Sequence, residues 1–199
     1  MIDIYICDFE DSFTFNIYAE LAELYNRDRI QIIDKSDVVE RLTQLNKIQD
    51  PKLIILGPGP GHPDAYWQVT KLLKDLFKKE NLFFFGVCLG HQLVAQVFGA
   101  SIKKASNPSH GERQKYHIEA NLQSILNIKS HSISVQRYNS LAVKSGYQVK
   151  SNSSVVTLEH QGEVIIYKGQ RVLTYQFHPE SVGTTCPVNF FTPLKDFLL

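Results

Sequence analysis

The chain has 199 residues, a formal net charge of +1, 43% hydrophobic residues and 21% charged residues. This composition is typical of globular domains, and the near-zero charge argues against a nucleic acid or an anionic membrane as partner. Three widely spaced cysteines fit a reducing compartment better than a disulfide framework. With no signal-like start and no apolar run long enough to span a bilayer, the sequence predicts one cytoplasmic domain over residues 1–199.

Strand and helix patterns alternate through the first half of the chain. Short apolar strands are predicted at 2–7, 29–33, 52–56 and 82–87. A first helix is predicted through Leu24, with Asp11 or Ser12 as its N-cap. Further helices are predicted at about 37–45, 64–79 and 89–99. This alternation predicts an α/β fold of flavodoxin-like type, in which helices cover both faces of a doubly wound, mostly parallel sheet.

The second half is rich in short β patterns with few helices between them. Strands are predicted at 115–119, 132–136, 154–160, 163–168 and 171–177. Gln161-Gly162 and Gly169-Gln170 lie between strands, as tight hairpin turns do. These patterns predict an antiparallel extension of the parallel sheet that shares its core, followed by a C-terminal helix within 187–199.

Cys88 lies where the fourth predicted strand turns into a helix. Such a turn pushes a side chain out at the carboxyl edge of a sheet, and the helix N-terminus behind it favours thiolate over thiol. Gly86 and Gly90 leave room for a strained turn and for close approach of a substrate. Gln92 follows by one helical turn and can face the same opening. Cys88 is therefore the candidate nucleophile.

A free cysteine at a strand end is also a common apolar filler of protein cores. Cys7, inside an apolar strand, is expected to have only that role. Cys186 falls in a polar loop with no predicted helix behind it, so no chemistry is assigned to it.

The segment Tyr-Gln-Phe-His-Pro-Glu-Ser at 175–181 closes the last predicted strand. A cysteine nucleophile needs a base that takes its proton, and that base needs a third group to fix its tautomer. His178 and Glu180 are two residues apart, which in an extended segment places them on one side. Glu180 is therefore expected to orient His178, although such a pair alone is a weak signal.

The loop Leu-Gly-Pro-Gly-Pro-Gly-His-Pro at 56–63 directly follows the third predicted strand. A glycine N–H from this loop could pair with the Leu89 N–H to hold an oxyanion. The alternatives are a plain turn or a phosphate cradle. The cradle is disfavoured because no Gly-Lys-Ser/Thr follows and prolines remove donors.

Together these segments resemble the class I (triad) glutamine amidotransferases, and most of all the glutaminase subunits of anthranilate synthase and aminodeoxychorismate synthase. The resemblance covers essentially the whole chain, in the family's order and spacing. The carrying segments are DSFTFN (11–16), GPGPGHP (57–63), GVCLGHQ (86–92), HGE (110–112), RYNSL (137–141) and FHPES (177–181).

The resemblance implies roles beyond the spacing argument. Cys88 would attack the side-chain amide of L-glutamine and form a thioester, with His178 as base and acid and Glu180 as its orienting group. The backbone N–H groups of Gly59 and Leu89 would form the oxyanion hole. The glutamine would be held by the residues Gly59, Pro60, Gly61, Gln92, Ser140 and Leu141. Ammonia would pass to a chorismate-binding synthase subunit, and this subunit would need no cofactor or metal because any Mg²⁺ belongs to the synthase.

Four departures from the family pattern lie outside the triad. After the first strand the family has Asp-Asn-x-Asp-Ser, whereas this chain has Asp-Phe-Glu-Asp-Ser at 8–12 and so lacks the Asn. The family's Ser before the glycine loop is Gly57 here. The family's His-Gly-Lys ends here in Glu112, and its Arg-Tyr-His-Ser-Leu has Asn139 in place of His. A reversed charge at Glu112 would be repelled by a partner built for lysine.

Two other functions remain open at this point. One is a cysteine hydrolase of other γ-glutamyl substrates, which a panel of such substrates would separate from a glutaminase. The other is a non-catalytic regulatory subunit, which a glutamine-like electrophile would fail to label selectively at Cys88.

Overall fold

The computed structural model describes residues 2–146 and 155–197. Its strands are β1 (Asp3–Cys7), β2 (Ile30–Ile33), β3 (Lys52–Leu56), β4 (Leu82–Val87), β5 (Ile102–Lys104), β6 (Glu112–His117), β7 (Ser132–Arg137), β8 (Leu141–Val143), β9 (Val156–His160), β10 (Glu163–Lys168) and β11 (Val172–Tyr175). Its α-helices are α1 (Thr14–Leu24), α2 (Val38–Leu45), α3 (Trp67–Leu76), α4 (Leu89–Val97), α5 (Ala120–Leu126) and α6 (Val188–Phe191). Short 3₁₀ segments lie at Arg27–Arg29, Pro63–Tyr66 and Thr192–Phe197.

Seven strands form the central sheet, in the order β2-β1-β3-β4-β11-β10-β9. The neighbours from β2 to β11 pair in parallel, whereas β10 pairs antiparallel with both β11 and β9. The predicted doubly wound α/β sheet with an antiparallel extension is therefore confirmed. In such a sheet, the loops at the carboxyl ends of the parallel strands meet at one edge, where ligands bind.

Two apolar layers cover the two faces of this sheet. Alternate strand residues point to opposite faces, so Ile4 and Ile6 pack in the layer of α1, α5 and α6, while Tyr5 and Cys7 pack in the layer of α2, α3 and α4. Cys7 is fully buried, and its burial raises the pKa of its thiol to about 12. The assignment of Cys7 to the core is confirmed.

The first helix begins later than predicted. Its N-cap is Phe13, not Asp11 or Ser12, and no side chain caps it. The acidic side chains instead shape the turn before it: Asp8 Oδ1 accepts from the N–H of Asp11 at 3.3 Å, and Asp11 Oδ1 accepts from the N–H of Phe13 at 2.9 Å. The third and fourth predicted helices are likewise shorter, ending at Leu76 and Val97.

The β-rich half differs most from its prediction. β6 and β7 form an antiparallel ribbon separate from the central sheet, and β5 and β8 form a second one. The sequence patterns did not predict β5 or β8. β6 also starts earlier than predicted. Its first residues were missed because only Tyr116 of its six residues is buried, so the strand shows no apolar alternation. α5 was missed because seven residues are too few for a helical period to stand out.

The ends of this half also need correction. β11 stops at Tyr175 rather than at 177, and the start predicted for β9 at 154 lies outside the described residues. The hairpin turn at Gln161-Gly162 is confirmed, with positive φ at both residues. The predicted C-terminal helix is only α6 and a 3₁₀ segment. Cys186 is exposed and lies two residues before α6, although the sequence predicted no helix behind it. Within the described ranges, no helix is long and apolar enough to cross a bilayer.

Candidate active site

Cys88 is the one residue between β4 and α4, and its backbone has a left-handed φ of 51° with a ψ of −100°. Such a conformation costs a non-glycine residue about 1–3 kcal/mol and persists only where its surroundings enforce it. Here the Cys88 N–H donates to the carbonyl of Tyr175 at 2.9 Å, and the Gln92 N–H donates to the Cys88 carbonyl at 3.1 Å. The predicted strand-to-helix turn is confirmed, and its strain lies at the cysteine itself.

The glycines beside Cys88 serve packing rather than strain. A Cβ built on Gly90 would lie 1.9 Å from the carbonyl oxygen of Leu56, and one built on Gly86 would lie 2.8 Å from the carbonyl carbon of Gly90. Their absent side chains let α4 start directly against β3 and β4. Neither glycine has a positive φ and neither lines the cavity described below, so the strained turn expected between them is taken by Cys88 itself.

His178 lies three residues beyond β11, where an isolated antiparallel bridge pairs it with β7. Its ring is held between Phe13 and Tyr138, with centroid distances of 4.8 and 5.1 Å. Burial lowers the pKa of His178, but hydrogen bonds to Cys88 and Glu180 outweigh it and raise that pKa well above its usual value. These interactions favour the protonated form of the His178 imidazole beside the Cys88 side chain.

Glu180 accepts a hydrogen bond from His178, with 2.8 Å between Oε1 and Nδ1. The predicted pairing is confirmed but its geometry is not, because a turn closed by the Ser181 N–H and the His178 carbonyl replaces the expected extended segment. Burial raises the pKa of Glu180, and the interaction with His178 opposes that rise. Glu180 Oε2 is buried and has no hydrogen-bond partner within the described part of the chain.

A cavity of about 170 Å³ opens at Cys88. It is lined by Gly59, Pro60, Gly61, Cys88, Leu89, Gln92, Tyr138, Asn139, Ser140 and Leu141. Three separate segments supply this lining: the loop after β3, the start of α4 and the segment that leads into β8. Every residue that the sequence assigned to an oxyanion hole or a glutamine pocket is among them.

The start of the loop after β3 approaches its neighbours too closely for side chains. A Cβ on Gly59 would lie 2.6 Å from Phe9 Cβ and 2.7 Å from a methyl group of Leu89, and one on Gly57 would lie 2.8 Å from the Cys7 carbonyl oxygen. The Gly90 N–H in turn donates to the Gly57 carbonyl at 3.2 Å. The backbone of this loop is therefore packed directly against the start of α4.

The opposite wall is held by side-chain amides. Gln92 Nε2 donates to the Leu141 carbonyl at 3.0 Å and to Gln176 Oε1 at 3.2 Å. Gln176, which is fully buried, directs its Nε2 at the Cys88 sulfur at 3.9 Å. Sequence reasoning placed Gln92 at the opening but assigned no role to Gln176.

A buried ion pair supports the same wall. The Arg137 guanidinium, 2% exposed, lies 3.4 Å from Glu163 Oε2 and donates through Nε to Asn139 Oδ1 at 2.9 Å. Asn139 Nδ2 then donates to the Leu141 carbonyl at 2.9 Å. Sequence reasoning assigned no role to the ion pair, although alternation in β7 buries Ile133, Val135 and Arg137 on one face, a signal that could have found the arginine.

Glu163 is ionised in this cluster. Burial opposes its ionisation, but hydrogen bonds from Ser106 and Lys144 and the charge of Arg137 outweigh burial and lower the pKa of Glu163. The carboxylate therefore neutralises the buried guanidinium charge.

Two of the departures from the family pattern, Phe9 and Glu112, do not line the cavity. Phe9 is buried and packs edge-on against Tyr66, with 5.1 Å between ring centroids, so it supports Gly59 from outside the cavity. Glu112 is exposed. Its neighbour Gly111 faces Tyr138, because a Cβ there would lie 3.2 Å from that ring.

Within residues 2–146 and 155–197, no group of three or more His, Cys, Asp or Glu residues could hold a metal ion.

Comparison with known proteins adds independent evidence. A family model described as "Glutamine amidotransferase class-I" matches residues 5–194. The chain is 34% identical to anthranilate synthase component 2 of Cyanidium caldarium, covering 98% of this chain and 97% of that protein. It is 32% identical to aminodeoxychorismate/anthranilate synthase component 2 of Bacillus subtilis (strain 168), covering 93% of this chain and 89% of that protein.

Solved structures share the fold at low sequence identity. A putative GMP synthase protein from Thermoplasma acidophilum superposes with a TM-score of 0.77 at 20% identity, covering 99% of this chain and 94% of that one. The glutaminase domain of Trypanosoma brucei CTPS, solved with bound acivicin, superposes with a TM-score of 0.66 at 16% identity, covering 100% of this chain and 94% of that one. The family model and the relatives above 30% identity go further than the fold: the chain belongs to the class-I glutamine amidotransferase family.

Proposed function

We propose that this protein hydrolyses L-glutamine through a thioester at Cys88 and delivers the ammonia to a chorismate-using synthase, as anthranilate synthase component 2 or its aminodeoxychorismate equivalent. The observation that carries the proposal is the joint placement of Cys88, of His178 held by Glu180, and of one small cavity. The names of the relatives support the synthase, and with it a role in tryptophan or folate biosynthesis.

In the proposed reaction, the Cys88 sulfur attacks the side-chain carbonyl carbon of glutamine. The carbonyl oxygen becomes an oxyanion, which accepts from the N–H groups of Gly59 and Leu89; Leu89 is the first residue of α4, where a backbone N–H has no partner within the helix. His178 gives its proton to the leaving nitrogen, the C–N bond breaks and ammonia departs. Water then attacks the thioester and passes a proton to His178, so glutamate leaves and the sulfur is restored.

Glutamine binding falls to the rest of the cavity. With its Nε2 engaged by Leu141 and Gln176, Gln92 has its Oε1 free of those two bonds to accept from the substrate. The backbone of Pro60-Gly61 and of Ser140-Leu141 lines the same space. Side chains and backbone supply the nucleophile, the proton and the oxyanion donors, so the proposed step uses no cofactor in this subunit, and Mg²⁺ is assigned to the synthase.

Two exposed apolar side chains flank the triad. Phe15, 66% exposed, follows Phe13 by two residues, and Phe13 packs on the His178 ring. Val182, 92% exposed, follows Glu180 by two residues. We assign the surface that carries these two side chains to the chorismate-binding synthase, which would receive the ammonia.

The catalytic part of the proposal is tested by Cys88→Ser. We expect a loss of glutaminase activity of at least about 10³-fold, because serine is a far weaker nucleophile than thiolate, with an unchanged circular dichroism spectrum. A glutamine-like electrophile should label Cys88 and neither Cys7 nor Cys186, as identified by peptide mass spectrometry. Substantial glutamine hydrolysis by the serine variant would refute the nucleophile assignment.

The partner is tested by purifying the chain from its own cells with its bound synthase, and by measuring glutamate and aminated product with and without chorismate. Replacing Phe15 and Val182 by serine should weaken the association by at least about tenfold. Trp67→Ser is the control, because Trp67 is 60% exposed but lies on α3, in the layer on the opposite face of the sheet from α1. Equal weakening by the control would refute the assigned surface.

A further inference from the structure

The least expected side chain near Cys88 is the amide of Gln176. It is fully buried one residue beyond β11, and it is not among the residues that line the cavity. Its Oε1 accepts from Gln92 and its Nε2 faces the sulfur of Cys88. Gln176 therefore connects the nucleophile to the wall of the glutamine pocket.

The orientation of each amide in this wall follows from its neighbour. A guanidinium can only donate, so Arg137 fixes the oxygen of Asn139 toward itself and the Asn139 N–H toward the Leu141 carbonyl. A carbonyl can only accept, so Leu141 also fixes the N–H of Gln92 toward itself.

Gln92 then decides the orientation of Gln176. Because Gln92 presents a donor, Gln176 must offer its oxygen to Gln92, and this leaves the Gln176 N–H for the Cys88 sulfur. An N–H donor stabilises a thiolate relative to a thiol, and it also restricts the side-chain rotamer of the cysteine.

We propose that Gln176 is a positioning residue of the glutaminase: its amide anchors Gln92 in the pocket wall and donates to the Cys88 sulfur. The Arg137–Asn139 pair holds the same wall from its other side, through the Leu141 carbonyl. The inference rests on the proposed glutamine hydrolysis for its pocket part, but the contact with the sulfur is independent of any substrate.

One labelling experiment on the full chain tests both parts of the proposal, the contact with the Cys88 sulfur and the anchoring of Gln92 in the pocket wall. Iodoacetamide needs no glutamine pocket, so its rate of alkylation at Cys88 reports on the sulfur. The glutamine concentration that half-protects Cys88 from iodoacetamide reports on the pocket. Both are followed by mass spectrometry of the Cys88 peptide at fixed pH, on the chain purified with its bound synthase.

Three variants should give a graded pattern. Gln176→Met keeps the length of the side chain but removes both hydrogen bonds, so we expect alkylation about tenfold slower and half-protection at about tenfold more glutamine. Asn139→Asp keeps its acceptor for Arg137, loses the donor to Leu141 and adds a negative charge beside the Arg137–Glu163 ion pair. It should raise the half-protecting concentration about tenfold and leave alkylation within about twofold of the wild type.

Thr174→Val is the matched control. Thr174 is buried on β11, two residues before Gln176, and its hydroxyl bonds the His91 ring at 2.8 Å without reaching the cavity. It should lower the melting temperature about as much as Gln176→Met while leaving both labelling measurements unchanged. A purely structural role for Gln176 predicts the same result for both variants.

The outcomes separate this inference from the proposed function. If Gln176→Met alkylates at the wild-type rate, or if Thr174→Val slows alkylation equally, the positioning role is refuted. If wild-type Cys88 alkylates readily and Gln176→Met slowly, while glutamine gives no protection, the contact with the sulfur stands and glutamine hydrolysis is refuted.

Discussion

The two walls of the cavity are built by different means. The first wall, residues 57–61 and 88–90, is made by the backbone: glycines let the loop after β3 lie directly against the start of α4. The second wall, residues 138–141 with Gln176 behind it, is made by buried side chains that hydrogen-bond to one another. A backbone-made wall fails when a single methyl group is added, whereas an amide-made wall fails when a donor or acceptor is lost.

The largest effect is expected where the first wall is tightest. Gly90→Ala would place a Cβ 1.9 Å from the carbonyl oxygen of Leu56, and a backbone atom cannot yield as a flexible side chain can. We expect the free energy of unfolding in urea to fall by about 3 kcal/mol or more.

Gly169→Ala is the control for this substitution, because its Cβ would meet only the end of the Tyr167 side chain at 3.3 Å. Its cost should stay below about 1 kcal/mol. Equal costs for Gly90→Ala and Gly169→Ala would show that the first wall is not close-packed.

The second prediction concerns the residue that joins α4 to the strands of the second half. His91 bonds Thr174 Oγ1 at 2.8 Å through Nδ1 and the Val164 carbonyl at 3.0 Å through Nε2. Burial lowers the pKa of His91 from 6.5 to about 4, against the smaller effect of its backbone hydrogen bond. The unfolded chain therefore takes up a proton near pH 6.5, and the folded chain takes it up only near pH 4.

The sign of the pH effect follows from this difference. The contribution of His91 is fully present above pH 6.5 and is lost as the pH falls toward 4, by up to about 3 kcal/mol at 1.36 kcal/mol per pKa unit. Urea unfolding from pH 7 to pH 4 measures it, with His91→Gln as the comparison. A wild-type slope no steeper than that of the glutamine variant would contradict a neutral buried His91.

The third prediction separates orientation from charge in the triad. Glu180→Gln keeps an acceptor for His178 Nδ1 but removes the carboxylate that raises the pKa of His178. Burial lowers the pKa of His178, and without the Glu180 carboxylate less opposes that effect, so the pKa of His178 falls. The alkaline limb of kcat/KM for glutamine should move to lower pH, because the proton for the leaving nitrogen is lost earlier, and kcat/KM at pH 8 should fall by about 100-fold.

The same substitution should not destabilise the fold. Glu180 Oε2 is buried with no hydrogen-bond partner in residues 2–146 or 155–197, so an uncharged amide is easier to bury there than the carboxylate. The control is Glu20→Gln, since Glu20 interacts with Glu180 through charge without a bond to His178. An unshifted pH profile for Glu180→Gln would show that its charge does not govern His178.

The contrast between the walls explains what sequence reasoning could reach. Cys88 and Leu89 are consecutive, and the loop at 57–61 follows a neighbouring strand, so local patterns placed the first wall correctly. Gln176 and Arg137 contact Gln92 and Glu163, which lie tens of positions away. No periodicity in their own segments shows such contacts, except that Arg137 falls on the buried face of β7.

The same reasoning applies to the fold. The mostly apolar runs at 52–56 and 82–87 predicted β3 and β4 to the residue, because strands buried on both faces have few polar positions to confuse the pattern. The half-exposed β6 and the seven-residue α5 lack that signal. The turn that joins His178 to Glu180 was likewise mistaken for extended chain, since a pair two residues apart fits both geometries.

The smallest predicted effect tests whether the first wall also shapes the glutamine pocket. Gly61 has a φ of 82° and lines the cavity, and nothing lies within 4 Å of a Cβ built on it. Gly61→Ala therefore meets no steric contact but must hold a conformation that costs an L-residue about 1 kcal/mol. The loop should relax toward a negative φ and shift the backbone of Pro60 and Gly61. KM for glutamine should rise several-fold, with kcat nearly unchanged because Cys88 and His178 are untouched.

Gly99→Ala supplies the matched control. Gly99 has a φ of 89° and equally open surroundings, but it follows the end of α4 and does not line the cavity. Both substitutions should cost about 1 kcal/mol in urea unfolding, because both force an alanine into a left-handed conformation. Only Gly61→Ala should change KM. If the two variants raise KM alike, the loop is a turn that happens to border the pocket, and the second wall alone selects glutamine.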